Sequence, residues 1–217
     1  ELLDLVEGLN NNPEVNGILV QLPLPKHINE LAVINAINPD KDVDGFHPVN
    51  TGKMVNGDEC LLPCTPAGIQ ELICRYAGDI KGKHLVVVGR SNIVGKPVAN
   101  MMYQKNDRAN CVVTICHTAA PDISVYTKQA DILVVAAGKP HVVTGSMVKE
   151  GAVVIDVGVN RIPDPADNTK TKIVGDVEFD SAAPKAKAIT PVPGGVGPMT
   201  IAMLLSNTVK AFEQQNS

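Results

Sequence analysis

The sequence contains no tryptophan and only three phenylalanines and three tyrosines in 217 residues. So few aromatics provide no platform for stacked bases, and the scattered lysines and arginines leave a formal net charge of -4. A nucleic-acid partner is therefore not expected. No apolar run reaches the roughly 18 uninterrupted residues of a membrane span, and nothing at the start resembles a signal peptide or a basic transit segment. A soluble chain with no membrane partner is expected. The five cysteines (Cys60, Cys64, Cys74, Cys111, Cys116) include no CxxC pair. They predict neither a disulfide framework nor a zinc knuckle, but reduced, inert thiols. The five histidines show no HExxH or other ligand spacing, so no metal is expected.

Proline and glycine, by contrast, crowd into Thr190-Pro191-Val192-Pro193-Gly194-Gly195-Val196-Gly197-Pro198-Met199-Thr200. Its three prolines fix φ and delete N–H donors, and its three glycines remove side chains. A flat ligand can thus lie directly against backbone that does not flex. The apolar run Met199 to Leu205 follows, predicting a helix from near Pro198. The unpaired N–H groups and positive dipole end of such a helix would face whatever sits on the loop. A rigid turn serving packing alone is the other reading of such a segment.

Length alone allows one large domain or two small ones. Leu2, Leu3, Leu5, Val6 and Leu9 follow helical spacing, and Gly17 to Leu22 reads as a buried strand ended by Pro23 and Pro25. A second helix is predicted with Asn29 as N-cap, carrying Leu31, Val33, Ile34 and Ile37 before the turn-rich Asn38 to Gly45. Thr65-Pro66 opens another, with Ile69, Leu72 and Ile73 on its buried side. From Lys83 onward, short aliphatic strands alternate with helices: Leu85–Val88, Cys111–Cys116, Ile132–Ala136 and Val153–Val157. This pattern predicts an α/β fold with a doubly wound parallel sheet. Each strand is apolar enough for both faces to be helix-covered, with helices beginning near Val94 and Thr144. Pro163 to Thr171 reads as a polar, loop-like insertion.

After Leu85–Val88 comes Gly89-Arg90-Ser91-Asn92-Ile93-Val94-Gly95-Lys96-Pro97, a dinucleotide fingerprint with Ser91 in place of the second glycine. Strand, glycine-rich turn and helix are in the required order. Gly89 would permit the tight turn, Gly95 would let the helix pack closely, and the helix N-terminus would face a pyrophosphate. A purely structural strand-to-helix turn is the alternative. NAD sites place an acid at the end of the second strand, but that strand here ends Cys116-His117-Thr118. Arg90 offers a guanidinium suited to a 2′-phosphate, so NADP is the expected cofactor; by itself Arg90 also reads as a solvated surface arginine.

Several segments in fixed order closely resemble the methylenetetrahydrofolate dehydrogenase/methenyltetrahydrofolate cyclohydrolase family. They are Val20-Gln21-Leu22-Pro23-Leu24-Pro25, Asp40-Lys41-Asp42-Val43-Asp44-Gly45, Pro63-Cys64-Thr65-Pro66, Gly89-Arg90-Ser91, Val154 to Asn160, Gly175-Asp176-Val177 and the run at 190–200. The resemblance covers essentially the whole chain. It implies a catalytic folate domain over residues 1–66 and 198–217, incomplete at its N-terminus, and an NADP-binding Rossmann domain over 67–197. The implied activity is NADP-dependent oxidation of 5,10-methylenetetrahydrofolate, then hydrolysis of the methenyl product to 10-formyltetrahydrofolate. A homodimer formed through the NADP domain, in the cytoplasm, is also implied.

Residue by residue, Asp44 matches the family's acid for the amino and ring N–H edge of the pterin; by itself it reads as one more solvated acid beside Asp40 and Asp42. Gln21 matches the residue that hydrogen-bonds the catalytic lysine. Leu22-Pro23 and Val192-Pro193 match positions that shape the folate cleft, Pro193 and Gly194 are implied to approach the pterin or the nicotinamide side, and tight turns at Pro23 and Pro193 suit cis prolines. Thr65, Val94, Thr118, Val157, Gly158 and Thr200 join Gly89, Arg90, Ser91 and Gly95 as implied cofactor positions. Thr118 stands where other members often carry serine.

The family's Tyr-x-x-x-Lys motif has no match here, and Lys26, Lys41 and Lys53 lie outside it. The chain is accordingly expected to lack an upstream segment, and no synthetase domain is expected after Ser217. Two rival readings remain. One is a catalytically incomplete NADP- and folate-binding fragment; the other is an amino-acid or hydroxy-acid dehydrogenase sharing only the Rossmann half.

Overall fold

In the computed structural model, which describes residues 1–164 and 167–216, the chain divides into two compact units. One is Glu1–Cys64 together with the chain from Ile201 onward; the other is Thr65–Thr200.

The second unit is organised by five parallel strands, β1 (His84–Val88), β2 (Val112–Cys116), β3 (Ile132–Val135), β4 (Val153–Asp156) and β7 (Ala188–Ile189), in the order β2-β1-β3-β4-β7. Side chains alternate across a strand, and both faces of the central strands are buried. Leu85, Val87, Val134 and Ile155 pack with Ile69, Ile73, Val98 and Met102. These come from α4 (Cys64–Tyr76) and α5 (Gly95–Met102). Val86, Val88, Leu133 and Val154 face the opposite cluster, with Ile123, Ala130, Val143, Val148 and Ala182. Burial of each such side chain stabilises by about 1.5–3 kcal/mol.

Coverage of that second face differs from expectation. It comes from the short α6 (Ser124–Thr127) and α7 (Phe179–Ala182), with one 3-10 turn, Gly145–Met147, where a helix from Thr144 was expected. The chain re-enters the sheet at Val153, and Gly151, in the left-handed region at φ 76°, turns it there, so no room remains for more than one turn. Strand β2 also departs from expectation. It is an edge strand, and Val112 and Ile115 stay 60% and 43% exposed.

The expected loop at Pro163 to Thr171 is instead largely a two-stranded antiparallel ribbon, β5 (Asn160–Asp164) with β6 (Asp167–Val174). Residues 165 and 166 of that reading lie outside the described residues. The ribbon satisfies its backbone by pairing, with Ile162 opposite Lys172 and Pro163 opposite Thr171; its polar side chains disguised it as a loop.

The first unit contains α1 (Leu2–Asn11), α2 (Glu30–Ala36), α3 (Pro48–Asn56) and the chain of α8 (Val196–Gln215) beyond Thr200. The side chain of Asn29 accepts from Ala32 N–H, capping α2 as its sequence predicts. Gly17 to Leu22 is not a strand. It makes one parallel bridge, Ile18 to Asp42, and a ladder without further partners among the described residues does not extend. Val6, Ile18 and Ile37 form the core beside it. Helix α8 starts two residues before the Pro198 expected from sequence.

Candidate active site

In the Thr65–Thr200 unit, the strand order reverses between β1 and β3, one leading to β2 and the other to β4. Ligands of open α/β sheets bind at the carboxyl ends of strands flanking such a reversal. Gly89 leaves β1 there with φ 131°, and its N–H donates to Cys116 O at 2.8 Å. A Cβ on Gly89 would lie 2.1 Å from Ala136 O, and one on Gly95 would lie 2.4 Å from Gly89 O. Both positions therefore require glycine, and Gly95 draws the start of α5 onto the fingerprint turn. Ser91 has a role the motif did not suggest. Its Oγ accepts from Val94 N–H at 3.1 Å and Gly95 N–H at 3.3 Å, capping α5 where a second glycine leaves those donors open. Arg90 and Thr118 are exposed just beyond the ends of β1 and β2.

Beyond the end of β4 lies a cavity of about 330 Å³ whose lining includes Thr65, Val94, Val157, Gly158, Pro193, Gly194 and Thr200. Seven residues singled out from the sequence thus share one concave site. Thr65 and Thr200 meet through their hydroxyls at 2.9 Å. The Pro/Gly run forms one wall, with Val192-Pro193 cis and Gly194 at φ 102°. Gly89, Arg90, Ser91, Gly95 and Thr118 do not line this cavity and belong to the fingerprint end. Asp156 does line it and was assigned no role from sequence, although it stands in the quoted Val154 to Asn160 segment.

In the other unit, the bridge from Ile18 to Asp42 sets two segments running in parallel. Gln21, Leu22 and Pro23 follow on one, with Leu22-Pro23 cis, and Asp44 on the other. Gln21 is exposed, and its amide donates to Leu22 O at 2.9 Å. The acids of the Asp40 to Gly45 turn have distinct tasks. Asp42 is buried and accepts from His47 N–H at 2.8 Å and Asn50 Nδ2 at 3.1 Å. Lys41 is buried too, its ammonium donating to the carbonyls of Leu9, Asn10 and Asn12 at the end of α1.

Asp44 is the half-buried member. Burial, reinforced by the nearby Asp42 charge, pushes its pKa up to about 6, against a lowering hydrogen bond from the Cys64 thiol. Its neighbour Gly45 sits at φ 73°, where a Cβ would be 2.5 Å from Leu62 C, so the turn lies directly on the Leu62-Pro63 backbone. Asn207 of α8, missed in the sequence, secures this contact by donating to Val43 O and Leu62 O, both at 2.8 Å. The one hydrogen of the Cys64 thiol is shared between Asp44 and Val43 O, the latter at 3.2 Å. An amide far along the chain, in an amphipathic helix, carries no local signal of such a role.

A parallel α/β sheet with a glycine-rich turn at its reversal point and a side-chain-poor cavity beside it defines a dinucleotide-binding protein. The chain belongs to the tetrahydrofolate dehydrogenase/cyclohydrolase family, whose NAD(P)-binding domain matches residues 63–216 and whose catalytic domain matches residues 1–44. It is 63% identical to the bifunctional protein FolD of Chloroherpeton thalassium, over 98% of this chain and 73% of that protein. Among solved structures, it resembles the bifunctional FolD methylenetetrahydrofolate dehydrogenase/cyclohydrolase of Campylobacter jejuni (TM-score 0.90, 49% identity), covering 99% of this chain and 73% of that one. It also resembles the methylenetetrahydrofolate dehydrogenase-cyclohydrolase of Trypanosoma brucei, solved with NADP and an inhibitor (TM-score 0.90, 42% identity), covering 98% and 72% of the respective chains.

Proposed function

We propose that the Thr65–Thr200 unit binds NADP and that the remainder of the chain orients the folate. The enzyme oxidises 5,10-methylenetetrahydrofolate to 5,10-methenyltetrahydrofolate and hydrolyses that product to 10-formyltetrahydrofolate. The observation that carries this reading is the convergence of Thr65, Val94, Val157, Gly158, Pro193, Gly194 and Thr200 on one cavity, all within the unit that bears the fingerprint turn.

The residues fit the cofactor. Gly89, Gly95 and Gly194 leave backbone bare where a side chain would clash or strain. Arg90 supplies a cation, and His117-Thr118 supplies no acid to repel a 2′-phosphate. NADP, when bound there, would supply the hydride acceptor for the oxidation. Within the chain, the Pro193-Gly194 wall gives a flat ring a rigid surface. Thr65 and Thr200 offer hydroxyls to it, and the Asp44 carboxylate accepts from the pterin's amino and ring N–H groups, fixing its orientation. Leu22 and Pro23 shape the folate side, and Gln21 offers an amide there. Lys41 is committed to the end of α1, so no water-addition step is assigned to it.

The test is absorbance-followed reduction of NADP with 5,10-methylenetetrahydrofolate, with NAD in parallel. Turnover with NADP is expected, and Arg90→Ala should weaken NADP binding tenfold or more while changing NAD binding little. Equal loss for both cofactors would remove the 2′-phosphate role of Arg90. Binding of NADP without turnover would replace the enzyme by a binding fragment.

The chain works as a cytoplasmic homodimer joined through its NADP unit. Light scattering at micromolar concentration should give twice the 22.9 kDa chain mass; the single mass would refute the dimer.

A further inference from the structure

Asp156 and Asp176 are 4% and 0% exposed, and N–H groups surround both carboxylates. Asp156 Oδ1 accepts from Gly158 N–H at 3.0 Å and Asp176 N–H at 2.9 Å, and its Oδ2 accepts from Val177 N–H at 3.0 Å. Asp176 Oδ2 accepts from Ala137 N–H at 2.7 Å and Gly138 N–H at 2.8 Å, and its Oδ1 from Asn160 Nδ2 at 2.8 Å. The knot leaves no space for side chains: a Cβ on Gly175 would lie 1.8 Å from Asp156 Oδ2, and one on Gly158 would lie 2.2 Å from Asp176 Cγ.

Burying two neighbouring carboxylates for stability alone is costly, because each must be desolvated. Their position suggests another use. The Ala137-Gly138 turn leaves β3, one of the two strands flanking the reversal of strand order. Ala136, just before it, places its carbonyl against Gly89 of the fingerprint turn. On the other side, Asp156 holds Gly158, which lines the cavity with Val157.

We propose that Asp156 and Asp176 form a positioning pair for the dinucleotide, their carboxylates fixing the strand-end loops after β3 and β4 that wall its crevice. This rests on the reading that NADP binds at that crevice. The pair sets the loops in advance, so the cofactor meets an ordered wall and loses less free energy to ordering it.

The test exchanges the donor and acceptor. In Asp176→Asn, a neutral amide oxygen replaces the charged acceptor for the Ala137 and Gly138 N–H groups, and Asn160 must turn its own amide oxygen inward to meet the new NH₂. In the double variant Asn160→Asp with Asp176→Asn, the amide donates to the new carboxylate, and the total charge of the cluster is restored. NADP dissociation constants are measured by calorimetry, with unfolding temperatures followed alongside. Asp176→Asn is expected to bind NADP at least tenfold more weakly, and the double variant to return within threefold of the starting protein. If Asp176→Asn does not fold, a folded double variant within that threefold range supports the pair. A folded Asp176→Asn within twofold of the starting protein overturns the proposal, as does a folded double variant that binds tenfold more weakly. Lower unfolding temperatures with unchanged NADP affinity would mean a structural role only. Failure of the unaltered protein to bind NADP would instead overturn the cofactor reading.

Discussion

Asp40, Asp42 and Asp44 look alike on paper, and their environments assign each a different task. Asp40 is exposed, Asp42 is consumed by His47 and Asn50, and Asp44 is half-buried, with the carboxylate that the proposed function uses to hold the pterin. Because burial, with the Asp42 charge, raises the Asp44 pKa to about 6, the ionised form that the proposed pterin contact needs is nearly complete at pH 7.5 and is lost as pH falls through about 6. Affinity for a non-reacting folate analogue with the same amino and ring N–H edge should therefore fall about tenfold per unit well below pH 6. Asp44→Asn should bind the analogue at least tenfold more weakly at pH 7.5 and show little dependence on pH. A wild-type affinity that is flat between pH 7.5 and 5 would remove Asp44 from the pterin site. The same residue shows what was hidden in the sequence. The resemblance pointed to Asp44, but nothing local pointed to Asn207, whose amide fixes the Asp44 turn by bonding two carbonyls distant in sequence.

At the scale of elements, legibility followed the strength of local signals. The central strands β1, β3 and β4 are short aliphatic runs, and their expected ends lie within one residue of the observed ones. Asn29 marked the start of α2 as its cap, and Thr65-Pro66 fell in the first turn of α4, which begins at Cys64, before the expected cap. Both signals were legible because caps and first-turn prolines act through nearby atoms. Elements whose existence depends on distant neighbours were misread. Gly17 to Leu22 has the composition of a strand, but among the described residues only Ile18 has a pairing partner. β5 and β6 have the composition of a loop, but they have each other. Ser91 illustrates the same limit within the site. Its place in the motif was visible, whereas its use as the cap of α5 depends on where Val94 and Gly95 point their N–H groups.

For the whole molecule, the buried acids pull stability and ligand binding in opposite directions with pH. Burial pushes both Asp44 and Asp156 up to about 6. Between their unfolded value of 3.8 and about 6, the folded state therefore binds more protons than the unfolded state, and stability falls as pH rises through that window. One pKa unit corresponds to about 1.4 kcal/mol, so the shift at the buried Asp156 amounts to about 3 kcal/mol in full, of which about half is lost between pH 5 and 7.5. Asp131 and Glu71 act in the opposite sense. Their pKa values are lowered, by Lys149 and by Arg108 with Arg75 respectively, so their contribution is kept above the ordinary carboxylate range and lost only at lower pH. The ligand-free chain should accordingly be more stable at pH 5 than at pH 7.5, with an unfolding temperature higher by on the order of 5 °C. In Asp44→Asn that difference should shrink, since one of the two raised acids is gone. A bound folate that pairs with the Asp44 carboxylate would lower its pKa and reverse its share of the trend. Calorimetric scans across this range check the argument, and an unfolding temperature that rises steadily from pH 5 to 7.5 without ligand would show that burial does not hold these two carboxyls near 6.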